Sequence, residues 1–388
     1  MARIGSYDDV RRLARRRVPR GVFEFVDGGA GGEVTVRENR AAFERVRFDP
    51  RWLTDVSRRE IATTVLGERI AMPVMLAPAG LARLVHQQGE LAAARAAGAA
   101  GTIFSVSIAS SFSLEEIADA ATGPLWLQLY LWRSAEVVEG LVRRARAAGY
   151  HALVLTIDVP TVGNRERDVR NGGSLPPRIR LDTVLDALRR PRWLYGFVRG
   201  STITFANLGE IAGSSDPGAI GPYVDRELND PTATWERLDW LRRLWDGPLV
   251  VKGVLSPHDA AEAVRRGADA VYVSNHGGRQ LDGSPATLDV LAAVVEAVAG
   301  RAEVLLDGGV RRGEDVVKAR ALGARACLVG RPWFMGLAAD GERGVGRMLD
   351  VLARDVDRTL ALVGVPRIDD VDGRILLHQS FGRNRETL

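Results

Sequence analysis

Eight short apolar runs recur along the chain, and each has the length and the β-branched content of a buried strand. They cover residues 73–79, 102–107, 125–130, 152–158, 249–254, 270–276, 303–309 and 326–331. Segments with helical spacing lie between most of these runs, and several begin with a helix-start signal, such as Ser113 with Glu116, Ser134, or Ser256 before Pro257. This alternation of strands and helices predicts a parallel sheet.

Eight strand–helix units in succession favour a closed (β/α)8 TIM barrel over an open doubly wound sheet. The absence of the GxGxxG fingerprint after the first strand also argues against the doubly wound sheet. The chain has 388 residues, 46% of them hydrophobic, which is enough to build one barrel domain over residues 1–388. The alternation of strands and helices is interrupted between the fourth and fifth strands. Residues 172–231 are therefore predicted to be an inserted loop with an amphipathic, basic segment, and residues 379–388 a polar C-terminal tail.

Composition narrows the classes of partner and location. The 53 basic residues nearly balance the 49 acidic ones, so charge gives little support for nucleic acid, and none is predicted as a partner. The apolar stretch 70–85 is interrupted by prolines, and the Arg-rich start lacks a continuous apolar segment, so we predict a cytoplasmic protein without a membrane-spanning helix. Cys327 is predicted to be a buried structural residue, and no histidine has a neighbour at metal-ligand spacing, so no metal is expected.

The segment SNHGGRQLD at 274–282 carries the strongest chemical signal. It puts His276 and Arg279 three residues apart, just after a buried strand. Imidazole is suited to removing a proton near neutral pH, and arginine can bind a carboxylate through two hydrogen bonds. An isolated loop histidine more often bonds to backbone, but the surrounding residues favour catalysis. Asp158, at the end of the fourth strand, could orient His276 or simply cap a turn.

Glycines and cations follow the seventh and eighth strands, where barrels commonly hold phosphate. The sequences are DGGVRRG at 307–313 and Gly330 with Arg331. Lys252 ends the fifth strand in an apolar run, and a buried lysine needs a partner. Its ammonium either extends to solvent at the barrel mouth or stabilises negative charge on the ring of a reduced cofactor.

Taken together, these segments resemble the FMN-dependent L-2-hydroxy acid oxidase and dehydrogenase family. The resemblance runs over about residues 7–364, and its strongest marks are SNHGGRQLDG at 274–283, DGGVRRG at 307–313 and QLY at 128–130. It implies an FMN cofactor, oxidation of a 2-hydroxy acid to the 2-oxo acid, and a homotetramer. The pattern is closest to the members that act on mandelate.

The resemblance also implies a role for each matching residue. His276 takes the hydroxyl proton or the α-proton of the substrate and pairs with Asp158. Arg165 and Arg279 hold the substrate carboxylate, and Tyr130 bonds its hydroxyl. The residues implied to bind the cofactor are Ala79, Ser107, Gln128, Thr156, Lys252, Ser274, Asp307, Gly309, Arg311, Gly330 and Arg331.

Three positions depart from the small-acid pattern of the family and form the predicted substrate pocket. Phe25 stands where a tyrosine is common, Gly80 where small-acid oxidases carry alanine, and Ala109 where glycolate oxidase carries tryptophan. These changes predict a bulky or aromatic substrate. The segment RRPRWLYGFVRG at 189–200 resembles that of membrane-associated members, so residues 181–200 are expected either to contact the inner face of the membrane or to pack on the barrel mouth or a sister subunit.

Two other functions remain open at this point. An FMN barrel of another class, such as an isomerase or a nucleotide dehydrogenase, could use the same phosphate cradle, although His276 and Arg279 disfavour it. A non-catalytic flavin-binding scaffold would tolerate Phe25. The sequence leaves open whether oxygen, a quinone or a carrier protein accepts the electrons, and whether a hydride or a carbanion route is used.

Overall fold

Three helices precede the first strand in the computed structural model, which describes residues 4–172, 181–200, 203–208, 230 and 232–377. They are α1 (Tyr7–Arg17), α2 (Arg20–Asp27) and α3 (Val34–Arg45). The first begins at Ser6, whose hydroxyl accepts a hydrogen bond from the backbone N–H of Asp9. A short antiparallel hairpin follows, formed by β1 (Thr63–Val65) and β2 (Glu68–Ile70).

Eight parallel strands then close into a barrel, in which the last strand pairs with both the first and the seventh. They are β3 (Val74–Leu76), β4 (Phe104–Ser107), β5 (Leu125–Tyr130), β6 (Ala152–Thr156), β7 (Leu249–Val254), β8 (Ala270–Val273), β9 (Glu303–Leu306) and β10 (Ala326–Val329). The predicted TIM barrel is confirmed.

Most of the strands end earlier than the apolar runs suggested. The sixth run was expected to continue to His276, but β8 ends at Val273, and His276 has a backbone φ of +57°. Gly308 and Gly309, after β9, also have positive φ. These conformations lie outside the extended region, so His276, Gly308 and Gly309 lie on the loops that follow β8 and β9.

Helices surround the barrel. In chain order they are α4 (Gly89–Ala99), α5 (Leu114–Ala120), α6 (Ala135–Ala147), α7 (Glu166–Arg170), α8 (Leu181–Leu188), α9 (Pro191–Arg199), α10 (Glu236–Leu244), α11 (Pro257–Arg265), α12 (Thr287–Val298), α13 (Gly313–Ala321) and α14 (Arg331–Val363), which is broken at Asp340 and Gly341. The predicted N-caps are confirmed, since the hydroxyls of Ser113, Ser134 and Ser256 each accept a backbone N–H in the first turn of α5, α6 and α11.

The barrel interior is filled by large apolar side chains, including the fully buried Met75, Trp126 and Tyr272. The hairpin adds Val65 and Ile70 to the same cluster, and the backbone N–H of Leu66 donates to Glu303, the first residue of β9, at 3.1 Å. The hairpin therefore closes the end of the barrel where the strands begin. The other end, where the strands finish, is left for the site.

Helices α8 and α9 fall within the predicted insertion, residues 172–231. Much of that insertion and the predicted tail at 379–388 lie outside the described residues. Cys327 is fully buried on β10, as expected of a structural residue. Within the described ranges, no helix combines the length and apolar character needed to cross a bilayer.

Candidate active site

His276 and Asp158 meet at the open end of the barrel. The imidazole Nδ1 lies 2.9 Å from Asp158 Oδ1, so an N–H at Nδ1 donates to the carboxylate and Nε2 is left to accept a proton. Burial lowers the pKa of His276, although Asp158 opposes that shift. Burial also opposes ionisation of Asp158, but the charge of Lys252 and the interaction with His276 outweigh it and lower the pKa of Asp158. The pair is therefore a neutral base held by a carboxylate.

Lys252 is buried beside this pair. Its Nζ lies 3.9 Å from Asp158 Oδ2 and 5.5 Å from the centroid of the Tyr272 ring. No hydrogen-bond acceptor for this ammonium is found among the described residues. The neighbouring Gly253 has a φ of +104°, and a Cβ there would lie 2.7 Å from Asp158 Cβ, so only glycine lets β7 approach the segment that follows β6.

A row of hydrogen-bonded side chains runs across the ends of three adjacent strands. The Ser107 hydroxyl donates to Gln128 Oε1 at 2.9 Å, and Gln128 Nε2 donates to the Thr156 hydroxyl at 3.0 Å. Tyr130 ends the same strand as Gln128, and burial together with the charge of Asp158 raises its pKa to about 12. The phenol therefore keeps its proton at neutral pH and can donate a hydrogen bond.

The two predicted carboxylate-binding arginines lie close together. Arg279 Nη1 donates to the backbone carbonyls of Phe25 and Gly28, each at 2.8 Å, and its guanidinium lies 5.3 Å from the centroid of the Phe25 ring. Arg165 Nε is 3.5 Å from the Arg279 carbonyl. Burial, with the charges of Arg165 and Arg331, lowers the pKa of Arg279. A negatively charged substrate group would relieve that repulsion.

Asp168 is a site residue that the sequence reasoning missed. Burial raises its pKa, and the charges of Arg279 and Arg165 act in the opposite direction. A half-buried carboxyl thus already lies in the field of both arginines. The sequence RERD at 165–168 could have suggested it, because it places Asp168 three residues after Arg165, in the first turn of α7.

The predicted phosphate side contains the expected glycines and cations. Asp307 Oδ2 accepts from the Tyr272 hydroxyl at 2.8 Å, while its buried Oδ1 has no partner within the described part of the chain. Gly309 has a φ of +90°, and a Cβ there would collide with the carbonyl oxygen of Asn39. The Arg311 guanidinium lies 4.8 Å from the centroid of the Tyr7 ring.

Arg331 also links two segments of the protein. Its three nitrogens donate to the backbone carbonyls of Asp27, Gly277 and Gly28 at 3.1, 2.8 and 2.7 Å. Burial lowers its pKa to about 10. It ties the end of α2 to the loop that carries His276, and its contact with a phosphate stays a prediction.

These residues fit FMN. A buried ammonium without an acceptor suits a ring carbonyl, a buried carboxylate oxygen without a donor suits a ribityl hydroxyl, and glycine backbone beside Arg311 suits a phosphate. The remaining predicted cofactor residues lie at the same end of the barrel, at the strand ends: Ala79, Ser274 and Gly330. No group of three or more potential metal ligands occurs in the ranges that the structure describes.

Asn39 and Asn275 were also missed. Their buried amides form a reciprocal pair, with Asn39 Nδ2 donating to Asn275 Oδ1 at 2.9 Å and Asn275 Nδ2 donating to Asn39 Oδ1 at 2.8 Å. Asn275 Oδ1 also accepts from the backbone N–H of Gly278 at 3.2 Å. The pair fixes the loop around His276 to α3.

Gly80 and Ala109, two of the three predicted pocket residues, are in contact. A Cβ on Gly80 would lie 2.5 Å from Ala109 O and 2.7 Å from Ala109 Cβ. The third predicted pocket residue, Phe25, packs its ring against the Arg279 guanidinium. The small residues at 80 and 109 thus occur together because their backbones touch.

A closed barrel with a paired histidine, two arginines and a loop of glycines and arginines at its open end is the arrangement expected of a flavin-dependent barrel oxidoreductase. The family model described as FMN-dependent dehydrogenase matches residues 14–378. The chain belongs to that family, and its cofactor is FMN.

Relatives of two specificities match almost the whole chain. The chain is 43% identical to the L-lactate oxidase of Nostoc sp. over 95% of this chain and 96% of that protein. It is 44% identical to the (S)-mandelate dehydrogenase of Pseudomonas putida over 94% of this chain and 91% of that protein. The crystal structure of the monotopic membrane protein (S)-mandelate dehydrogenase superposes on this chain with a TM-score of 0.93 at 42% identity, covering 97% of this chain and 100% of that one.

The predicted resemblance is therefore confirmed, and the chain is an FMN-dependent enzyme that oxidises 2-hydroxy acids. This result sets aside the isomerase and the non-catalytic scaffold.

Proposed function

We propose that the enzyme oxidises a bulky, mandelate-like L-2-hydroxy acid to the 2-oxo acid, with His276 as the base and Arg165 and Arg279 binding the carboxylate. The observation that carries the proposal is the 2.9 Å hydrogen bond between His276 and Asp158, with Arg279 three residues further along the same loop. The bond leaves Nε2 of the imidazole as the acceptor of a proton.

Each residue then has a defined task. Arg165 and Arg279 hold the carboxylate and so orient the α-carbon, while the Tyr130 hydroxyl bonds the substrate hydroxyl. His276 Nε2 takes the proton, and Asp158 stabilises the resulting imidazolium. FMN supplies the acceptor for the two electrons. Lys252, buried without an acceptor of its own, offers positive charge to the ring.

The preference for a bulky acid rests on pocket composition. Sequence identity does not distinguish a preference for lactate from one for mandelate, since the lactate oxidase and the mandelate dehydrogenase are 43% and 44% identical to the chain. Gly80 and Ala109 carry the smallest side chains available, and the Phe25 ring offers an apolar face beside Arg279. A phenyl group buried there gains about 25 cal/mol per Å² of apolar surface.

Anaerobic stopped-flow reduction of the flavin by a panel of L-2-hydroxy acids tests this proposal. We expect L-mandelate to give a higher ratio of reduction rate constant to Kd than glycolate or L-lactate. An advantage of about tenfold for a small acid, which equals about 1.4 kcal/mol, would contradict it. Admitting oxygen after reduction would then show whether oxygen is the electron acceptor.

We also propose that α8 and α9 contact a membrane surface. Leu188 and Val198 are 59% and 72% exposed, and Tyr195 is also exposed, next to the exposed Arg192. Trp193, on the opposite side of α9, donates its indole N–H to the Leu84 carbonyl at 2.8 Å. One side of α9 thus packs on the protein and the other remains apolar and exposed. The homotetramer stays a prediction.

A further inference from the structure

Glu90 is a fully buried carboxyl in the first turn of α4, outside the set of residues assigned to the reaction. Its Oε1 accepts the backbone N–H of Ala82 at 2.9 Å and the backbone N–H of Ser111 at 3.0 Å. Ala82 belongs to the loop after β3, and Ser111 belongs to the loop after β4. One oxygen atom therefore joins the loops that follow the first two strands of the barrel.

The same two loops meet again at the predicted substrate pocket. The Leu81 N–H donates to the Ala109 carbonyl at 3.0 Å, and Gly80 lies against Ala109. The Ala109 N–H donates in turn to the Ser107 hydroxyl at 3.2 Å, which begins the row across the strand ends. The distance between Gly80 and Ala109 is therefore set by two contacts. One is Glu90, which binds the residues that follow each of them, and the other is the hydrogen bond between Leu81 and Ala109.

We propose that Glu90 is a positioning residue that sets substrate size, because it holds Gly80 and Ala109 at a fixed separation. The inference rests on the proposed function, which places those two residues beside the substrate side chain. Glu90 acts through the loops and leaves the proton transfer at His276 unchanged. Only its acceptor oxygen is needed, so a glutamine amide oxygen can replace it, whereas an aspartate, shorter by one carbon or about 1.5 Å, cannot reach both N–H groups.

The experiment compares E90Q, E90D and E90A with the wild-type holoenzyme. The first readout is the ratio of the Kd values of unreactive phenylacetate and propionate, measured from the change in flavin absorbance. The second is anaerobic flavin reduction by L-mandelate and L-lactate. We expect E90Q to stay within about twofold of wild type in both ratios and E90D and E90A to change them by about fivefold or more, with the saturated reduction rate nearly unchanged.

Glu303 supplies a matched control. It also accepts a backbone N–H, that of Leu66 at 3.1 Å, but at the opposite end of the barrel. We expect E303A to lower stability while leaving both ratios as in wild type. If E90D and E90A bind FMN and keep the wild-type ratios, or if E90Q behaves like E90A, the inference is overturned. A wild-type enzyme that no 2-hydroxy acid reduces would instead contradict the proposed function, while the Kd ratio would still test Glu90.

Discussion

Asp158 contacts both His276 and Lys252 through its two carboxylate oxygens. Oδ1 lies 2.9 Å from His276 Nδ1, and Oδ2 lies 3.9 Å from Lys252 Nζ. The carboxylate therefore links His276, which we propose takes the proton, to Lys252, which we propose faces the flavin. Its loss would affect both the orientation of the base and the charge beside the ring.

Replacing His276 by glutamine should leave FMN bound but slow its reduction by about 10² to 10⁴-fold, because general-base catalysis supplies about that much. Flavin absorbance of the purified variant measures cofactor content, and anaerobic stopped flow measures the rate. His258→Gln is the control, since that histidine is exposed on α11. Reduction at the wild-type rate in H276Q at saturating substrate would contradict the assignment of the base.

The pH dependence of flavin reduction should reflect the surroundings of His276. The imidazole accepts a proton only when neutral, so the rate falls as pH falls through its pKa. Burial lowers that pKa below the ordinary 6.5, and Asp158 raises it. In D158N the acid limb should therefore move to lower pH, while the plateau falls at least about tenfold because the imidazole is no longer held. Stopped flow between about pH 5 and 8 measures both changes, and an acid limb that moves to higher pH in D158N would contradict this account.

The barrel could be predicted because its strands are buried on both faces and so appear as continuous apolar runs. The hairpin of β1 and β2 was missed because each strand has only three residues. Strand ends were also predicted too long. The sixth run was extended over the polar residues Ser274, Asn275 and His276, but the strand ends at Val273 and the backbone turns at His276.

The residues proposed to react were easier to find in the sequence than those that support them. His276 and Arg279 lie in one short segment, and Asp158 stands at the predicted end of the fourth strand, where a barrel places its active-site residues. The partner of Asn275 is 236 residues away on α3, and neither asparagine carries a spacing signal. Such pairings depend on the fold, which places α3 beside the loop after β8.

Asn39→Ala should destabilise the protein by about 1–3 kcal/mol, because it removes both hydrogen bonds between the two buried amides and leaves the buried Thr287 N–H without the Asn39 oxygen that it donates to. It should also slow flavin reduction, less than H276Q does, since the loop that carries His276 loses its attachment to α3. Chemical denaturation and stopped flow measure the two effects. Glu38→Ala is the control on the same helix, where an exposed ion pair with Arg45 is lost and a change within about 0.5 kcal/mol is expected. Equal stability of N39A and E38A would contradict the supporting role.

Gly80→Ala should reduce the preference for mandelate over lactate by about tenfold. The added Cβ would lie 2.5 Å from Ala109 O, so it either pushes the 109 segment away or enters the pocket. The ratio of reduction rate constant to Kd for the two acids measures the change. Gly346→Ala is the control, because its Cβ meets no atom within 4 Å on α14, and it should leave the ratio unchanged. An unchanged ratio in G80A would remove Gly80 from the substrate pocket.

The double variant L188E/V198E should lower co-sedimentation with vesicles of anionic lipid several-fold. Leu188 and Val198 expose apolar surface on α8 and α9, beside the exposed Arg192 and Arg199, and an interfacial helix needs both the apolar contact and the positive charge. Binding of the wild-type protein should weaken as salt is added, because the arginine contribution is screened. Leu362→Glu, at a residue 54% exposed on α14, is the matched control for adding charge at an exposed apolar position. If L188E/V198E sediments as the wild type does, α8 and α9 are not the membrane contact.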